Sequence, residues 1–183
     1  SISSDGGAIS NVIDRPGVVG TYRIDSKNSS IAYFHSDFKN IGQVWMLNLK
    51  NGQSRRLTRV NQNLLNSVEL GDIEEIWFKG YPGNDLQGWI LKPPGFDPQK
   101  KYPSILEIHG GPAGQYGDSF IHEFYFLAAH GYVVFFANPR GGSGYGEEHA
   151  KVIDNAAGTA DYDDVMAWTD IVASQPYIDE NRI

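Results

Sequence analysis

The chain has 183 residues, of which 40% are hydrophobic and 20% are charged, so its composition is that of a folded globular protein rather than a disordered one. Its net charge of −7 comes without a basic run, which argues against nucleic acid or an anionic membrane surface as a partner. The absence of cysteine excludes disulfides and thiolate metal sites. Because this fits a reducing compartment, we expect a cytoplasmic location.

The first 60 residues show the pattern of short antiparallel strands separated by turns. Strands are predicted over residues 8–13, 20–25, 30–35, 43–49 and 53–58. The pair Asn51-Gly52 favours a type I′ turn, so the last two of these strands should form a hairpin. Four strands in about fifty residues are typical of one propeller blade, and we interpret residues 1–60 in this way.

The pattern changes after residue 60. Residues 61–72 interrupt the strands with polar residues and are predicted to be a connector. The elements predicted beyond it are strands over 73–79 and 86–92, a strand over 104–109, a helix over 120–130, a strand over 132–137, a helix over 159–174 and the start of a strand over 181–183. Alternation of strands and helices predicts a parallel α/β sheet.

The last of these helices carries a periodic stripe. We predict that it buries Tyr162, Val165, Met166, Thr169, Val172 and Ala173. The carboxylates Asp161, Asp163 and Asp164 lie in its first turns, where they oppose the positive helix end rather than forming a metal site.

An apolar strand leads directly into His109-Gly110-Gly111-Pro112. Two glycines let backbone N–H groups approach a ligand oxygen, and in α/β-hydrolases the loop after the third strand supplies half of the oxyanion hole in this way. We therefore predict Gly111, with Gly110 beside it, as oxyanion donors. The alternative is a turn that merely lets strand and helix pack closely. His109 is interpreted as a structural residue.

The nucleophile that should accompany this loop is missing from the sequence. No serine lies in a Gly-x-Ser-x-Gly elbow, and the nearest match, at residues 141–145, ends in Tyr145 instead of glycine. In the same segment, Arg140 could pair with a carboxylate in a bidentate fork and brace the loop, or contact substrate. Tyr145 and Glu147 are candidates for lining a cleft, with solvated surface as the alternative. We expect no metal and no cofactor.

Four segments together resemble the prolyl oligopeptidase family, and within it the acylaminoacyl-peptidase branch. They are residues 89–97, residues 102–103, residues 109–112 and residues 138–147. The resemblance implies that residues 1–60 are the C-terminal blade of a β-propeller and that residues 73–183 are the N-terminal half of an α/β-hydrolase domain.

For function, the resemblance implies a serine peptidase that hydrolyses short or N-acylated peptides with a Ser-His-Asp triad. In this family the triad follows the segment that ends at Ile183, so this chain alone is expected to be an inactive fragment. Its expected partners are a peptide substrate, the complementary C-terminal fragment and possible copies of itself. A non-enzymatic interaction module and a carboxylesterase remain the alternatives.

Overall fold

A computed structural model describes residues 5–111 and 113–183. The chain divides into two compact units. The first extends to Val60 and includes Asp118–Phe120, and the second comprises the remaining residues from Asn61 onward. In the described part of the chain, no helix has the length and apolar character needed to cross a bilayer.

The first unit is a four-stranded antiparallel meander. Its strands are β1 (Val18–Ile24), β2 (Ser30–Asp37), β3 (Asn40–Asn48) and β4 (Ser54–Arg56), which pair in chain order. Side chains alternate between the two faces of a strand, and Ile31, Tyr33 and Leu47 are therefore buried together on one face. Four of the five predicted strands are confirmed.

The strand predicted over residues 8–13 is wrong. This segment lacks apolar alternation, so it has no single face to bury, and Ile9 is 80% exposed. Of the residues in this segment, Ile13 packs against the core of the first unit.

The hairpin between β3 and β4 is confirmed, but its turn is not type I′. Gly52 has a φ of 69°, whereas Asn51 does not lie in the left-handed region. The loop is longer than two residues, because the N–H of Gly52 donates to the carbonyl of Asn48 at 2.9 Å. The Asn51 carboxamide accepts the N–H of Gln53 at 3.0 Å, so it forms a local turn of its own instead of adopting a positive φ.

The second unit is built on a mixed four-stranded sheet. Its strands are β5 (Ile73–Lys79), β6 (Asp85–Leu91), β7 (Ser104–Glu107) and β8 (Val133–Asn138), in the spatial order β5-β6-β8-β7. The β7–β8 pair is parallel and the other pairs are antiparallel. The helices are α1 (Gln62–Leu65), α2 (His122–Ala129), α3 (Glu147–Lys151) and α4 (Ala160–Ala173). The predicted strand–helix alternation is confirmed, whereas α1 and α3 are short helices that the pattern did not indicate.

Every residue of β8 is buried, as expected for a strand covered on both faces. On one face, Phe135 belongs to a cluster with Trp168 of α4, whose ring stacks on Phe78 at a centroid distance of 4.7 Å. On the other face, Phe136 contacts Phe124 of α2 at 4.8 Å. The sheet thus lies between α2 and α4, and the carboxyl ends of β7 and β8 meet at one edge.

The predicted apolar stripe of α4 is confirmed at Val172 but wrong at Tyr162 and Met166, because the buried face of the helix is rotated towards Trp168. The helix buries Asp164, Trp168 and Val172, whereas Tyr162 is 59% exposed and Met166 is 38% exposed. The rotation has a tertiary cause, because a Cβ on Gly88 of β6 would lie 2.7 Å from the Trp168 ring. The missing side chain at this glycine makes room for the indole, which sets the face of α4 that is buried.

The strand predicted to begin at residues 181–183 is not formed within the chain. The backbone there nevertheless runs beside β7, since the N–H of Ser104 donates to the carbonyl of Arg182 at 2.9 Å. Tyr102 and Ile178 also form a parallel bridge just before β7. The end of the chain therefore lies alongside the start of β7.

Candidate functional site

The loop that follows β7 carries the predicted oxyanion donors. Gly111 has a φ of 123°, a conformation that L side chains rarely adopt, and a Cβ there would lie 3.2 Å from the N of Gly114. A Cβ on Gly110 would meet open space. In the described ranges, the N–H groups of Gly110 and Gly111 donate no hydrogen bond. They are exposed donors on a turn that requires glycine; Pro112 of the same motif lies outside the described residues.

His109 lies inside this loop. Its ring packs edge-on against Tyr116 at a centroid distance of 5.1 Å, and its Nδ1 lies 3.4 Å from the carbonyl oxygen of Gly110, a long contact for a hydrogen bond. Its Nε2 is buried and has no hydrogen-bond partner among the described residues. The imidazole therefore contacts the loop mainly through its ring face and edge.

The glycine-rich loop after β8 holds the loop after β7. The N–H of Ser143 donates to the carbonyl of Gly114 at 3.1 Å. A Cβ on Gly142 would lie 3.0 Å from that same carbonyl oxygen, so the close approach depends on glycine. The two loops thus form one structure at the carboxyl ends of adjacent parallel strands, where α/β proteins place ligands.

Arg140 is fixed by a buried carboxylate. Its Nε and Nη2 donate to the two carboxylate oxygens of Asp164 at 2.8 and 2.7 Å, in a bidentate fork, and its backbone N–H donates to Asp164 at 3.0 Å. The Asp164 side chain is fully buried and that of Arg140 is 13% exposed. The hydrogen bond with Asp164 raises the pKa of Arg140. Nη2 also donates to the carbonyl of Tyr81, so Arg140 connects the β5–β6 turn, α4 and the glycine-rich loop.

Tyr145 and Glu147 lie in different environments. The Tyr145 hydroxyl accepts a hydrogen bond from Asn138 at 2.6 Å and donates one to Gln87 at 2.5 Å, and burial raises the pKa of this phenol. Tyr145 therefore points into the second unit. Glu147 is 72% exposed and pairs with Lys151 on α3, which is the solvated arrangement given as its alternative.

A cavity of about 240 Å³ opens where the loops meet. Its walls combine apolar side chains with polar groups of both loops. They are formed by Ile108, His109, Pro139, Arg140, Gly142, Ile153, Gly158, Asp161, Tyr162 and Val165. Its lining includes part of the exposed side of α4. No group of three or more metal-ligating side chains occurs among the residues that the structure describes.

The sequence did not reveal the role of two residues of this site. Asp164 was assigned to helix-start electrostatics, which fits Asp161 and Asp163 in the first turn of α4 but not the buried partner of Arg140. Asn138 was not singled out, although it is the polar end of the otherwise apolar β8 and is 1% exposed. The signal available in the sequence was a polar residue at the end of an otherwise apolar strand.

Comparison with known proteins identifies the family. Residues 118–183 match the model of the prolyl oligopeptidase family. The uncharacterized peptidase YuxL of Bacillus subtilis is 38% identical over 132 residues, which cover 72% of this chain and 20% of that protein. The chain belongs to the prolyl oligopeptidase family. A probable dipeptidyl-peptidase 5 of Emericella nidulans is 38% identical over 141 residues, covering 74% of the chain and 19% of that protein.

Solved structures of the prolyl oligopeptidase family share the fold of this chain. The acylaminoacyl peptidase of Pyrococcus horikoshii aligns with a TM-score of 0.84 and 25% identity, covering 94% of this chain and 27% of that one. Dipeptidyl peptidase 4 of Porphyromonas gingivalis aligns with a TM-score of 0.82 and 25% identity, covering 95% and 25%. The predicted fold class, part of a propeller followed by the start of an α/β-hydrolase sheet, is confirmed. The chain spans about a fifth of the length of the curated relatives it matches.

Proposed function

We propose that this prolyl oligopeptidase family chain contributes one half of a serine peptidase active site that hydrolyses short or N-acylated peptides. The observation that carries the proposal is the pair of exposed N–H groups at Gly110 and Gly111, which donate to no described residue and lie on a loop held at the carboxyl end of β7. Donors placed in this way stabilise the oxyanion of a tetrahedral intermediate. In this role Gly111 supplies one donor, and the N–H after the nucleophilic serine supplies the second.

The nucleophile in this proposal comes from a complementary segment that follows Ile183. Support comes from the backbone of Arg182, which is hydrogen-bonded to Ser104 at the start of β7. A strand continuing in the same direction would run parallel to β7 along the edge opposite β8. Its carboxyl end would then emerge next to Ile108 and Gly111, within reach of the exposed N–H groups. The chain by itself is then inactive, and its partners are the peptide and the complementary segment.

The names of the relatives leave two substrate classes to distinguish. One solved neighbour is an acylaminoacyl peptidase in complex with Z-Gly-Gly-Phe-chloromethyl ketone, whereas several curated relatives are named dipeptidyl-peptidase 5. Peptides of the first class have a blocked N-terminus, whereas peptides of the second class have a free N-terminal amine. Anilides of N-acetyl amino acids and of free dipeptides therefore separate the two possibilities.

The test joins the chain to its complementary segment and measures fluorophosphonate labelling and hydrolysis of both anilide classes. Gly111→Ala should lower kcat about 100-fold, because the strained φ displaces the donor N–H. Gly83→Ala is the matched control, since Gly83 has a φ of 129° in the β5–β6 turn and open space at its Cβ. It should change kcat less than about threefold. A stably associated pair that neither labels nor hydrolyses would overturn the proposal and favour an interaction module. Hydrolysis of simple esters alone would favour a carboxylesterase.

A further inference from the structure

Asn138 is a buried amide at the end of β8. Its side chain lies next to the two loops of the site, and the residue is only 1% exposed. A buried carboxamide is destabilising unless its donors and its acceptor are paired. All the other residues of β8 are apolar, so this position stands out as the one polar side chain in the strand.

The pairing of Asn138 is directed at a single backbone position. Its Oδ1 accepts the N–H of Tyr116 at 2.7 Å, and its Nδ2 donates to the carbonyl of Tyr116 at 2.9 Å. The carboxamide thus bonds both backbone groups of Tyr116, as a neighbouring strand would. The second hydrogen of Nδ2 points to the hydroxyl of Tyr145, which donates in turn to Gln87 on β6. Every polar atom of the amide is satisfied.

Tyr116 lies in the segment that joins β7 to α2 and follows Gly110 and Gly111 in the chain. Its ring packs on His109 at 5.1 Å and on Phe136 at 5.0 Å, so the same residue is held through both backbone and side chain. The described residues ahead of Tyr116 approach one another closely, because a Cβ on Gly114 would lie 2.8 Å from the carbonyl oxygen of Gly110. Displacement of Tyr116 therefore moves the peptides that carry the N–H groups of Gly110 and Gly111.

We propose that Asn138 is a positioning residue that holds the oxyanion loop in place through the backbone of Tyr116. We call the two hydrogen bonds between the Asn138 carboxamide and the backbone of Tyr116 the clamp. The proposal rests on the proposed function, because the clamp contributes to catalysis only if Gly110 and Gly111 donate to the oxyanion. The clamp acts on backbone geometry and fills no cavity. Its loss should therefore affect the loop and the transition state more than substrate binding.

The first measurement is amide hydrogen exchange on the 183-residue chain, which requires no activity. Asn138→Ala should accelerate exchange of the Tyr116 N–H at least about tenfold relative to amides within β6 and β8. Asn138→Leu keeps the approximate size of the side chain but loses both the acceptor of the Tyr116 N–H and the donors, so it provides a second variant if the alanine protein does not fold. Tyr145→Phe removes only the outer partner and should leave the Tyr116 N–H protected. Unchanged protection in both Asn138 variants would overturn the proposal.

The second measurement is a kcat and KM comparison on the chain joined to its complementary segment. Asn138→Ala should lower kcat about 10- to 100-fold and leave KM within about threefold, because the loop contributes in the transition state. The control is Gln43→Ala in the first unit, where Gln43 bonds the N–H and carbonyl of Val60 in the same manner. This control should accelerate exchange at Val60 without lowering kcat.

The two measurements separate the two proposals. If the Tyr116 N–H opens while kcat is unchanged, the positioning role of Asn138 is wrong although the clamp exists. If the joined wild-type protein has no hydrolytic activity, the proposed function fails, and the exchange data still decide whether Asn138 holds the loop.

Discussion

Removal of the Asp164 carboxylate should destabilise the second unit more than any surface change near the site. Asp164→Ala leaves the guanidinium of Arg140 without its partner in a position that is 13% exposed. Breaking a buried pair in this way typically costs about 3–5 kcal/mol. Arg140 keeps its contacts to the carbonyls of Tyr81 and Ala160, so we expect the lower end, about 3 kcal/mol. For a unit of this size that corresponds to a fall in Tm of roughly 10 °C.

The assay is urea unfolding followed by near-ultraviolet circular dichroism, which reports on the buried Trp168 and Phe78 stack. The double variant Arg140→Met/Asp164→Leu removes both charges together and should stay within about 1 kcal/mol of wild type. Glu147→Ala removes an exposed ion pair to Lys151 and should change stability by less than about 0.5 kcal/mol. A loss below about 1 kcal/mol for Asp164→Ala would refute the reasoning, because the pair would then behave as a surface pair.

Two further predictions concern stability. Gly141→Ala should lower the free energy of unfolding by about 2–4 kcal/mol in the urea assay, because Gly141 has a φ of 96° and a Cβ there would lie 2.2 Å from Ile153. The control is Gly146→Ala, which has a similar φ of 95° but open space at its Cβ and should cost only about 1 kcal/mol. Equal losses in the two variants would argue against crowding at Gly141. Burial raises the pKa of Tyr116 and Tyr177 from 10.0 to about 12, so the folded state favours the neutral phenols. The contribution of these two phenols to the free energy of unfolding is complete below pH 10.0 and is lost as the pH rises towards 12. Between these two pH values Tyr116→Phe should therefore lose less stability than the wild type, which is measured as the shift in the urea midpoint.

Much of the fold could be predicted because the signals are local. The strand over residues 73–79 matches β5 residue for residue, since a short run rich in β-branched and aromatic residues is bounded by turn residues. The run leading to Asn138 was predicted as a strand, and because it is apolar throughout it is covered on both faces in the structure. The segment over residues 8–13 shows the limit of this reasoning, because its composition suits a strand but no strand among the described residues pairs with it.

The site was predicted less completely, because its pairings join distant parts of the chain. A glycine turn after a strand identified Gly110 and Gly111 as candidate donors, and a basic residue after β8 identified Arg140. Sequence alone did not show that Asp164, 24 positions away, is the partner of that arginine. The clamp between Asn138 and Tyr116 is separated by 22 positions and could not be read from spacing either.

The sequence by itself determined most of the strands, the glycine turn after β7 and the family resemblance, since these depend on neighbouring residues. Tertiary structure alone decided which face of α4 is buried, where the carboxylate of Asp164 goes and which backbone Asn138 bonds. The physical reason is that a helix stripe, a carboxylate and a carboxamide each have several favourable environments. The indole pocket at Gly88, the guanidinium of Arg140 and the open backbone groups of Tyr116 selected one environment for each, and these partners come together only when the chain has folded.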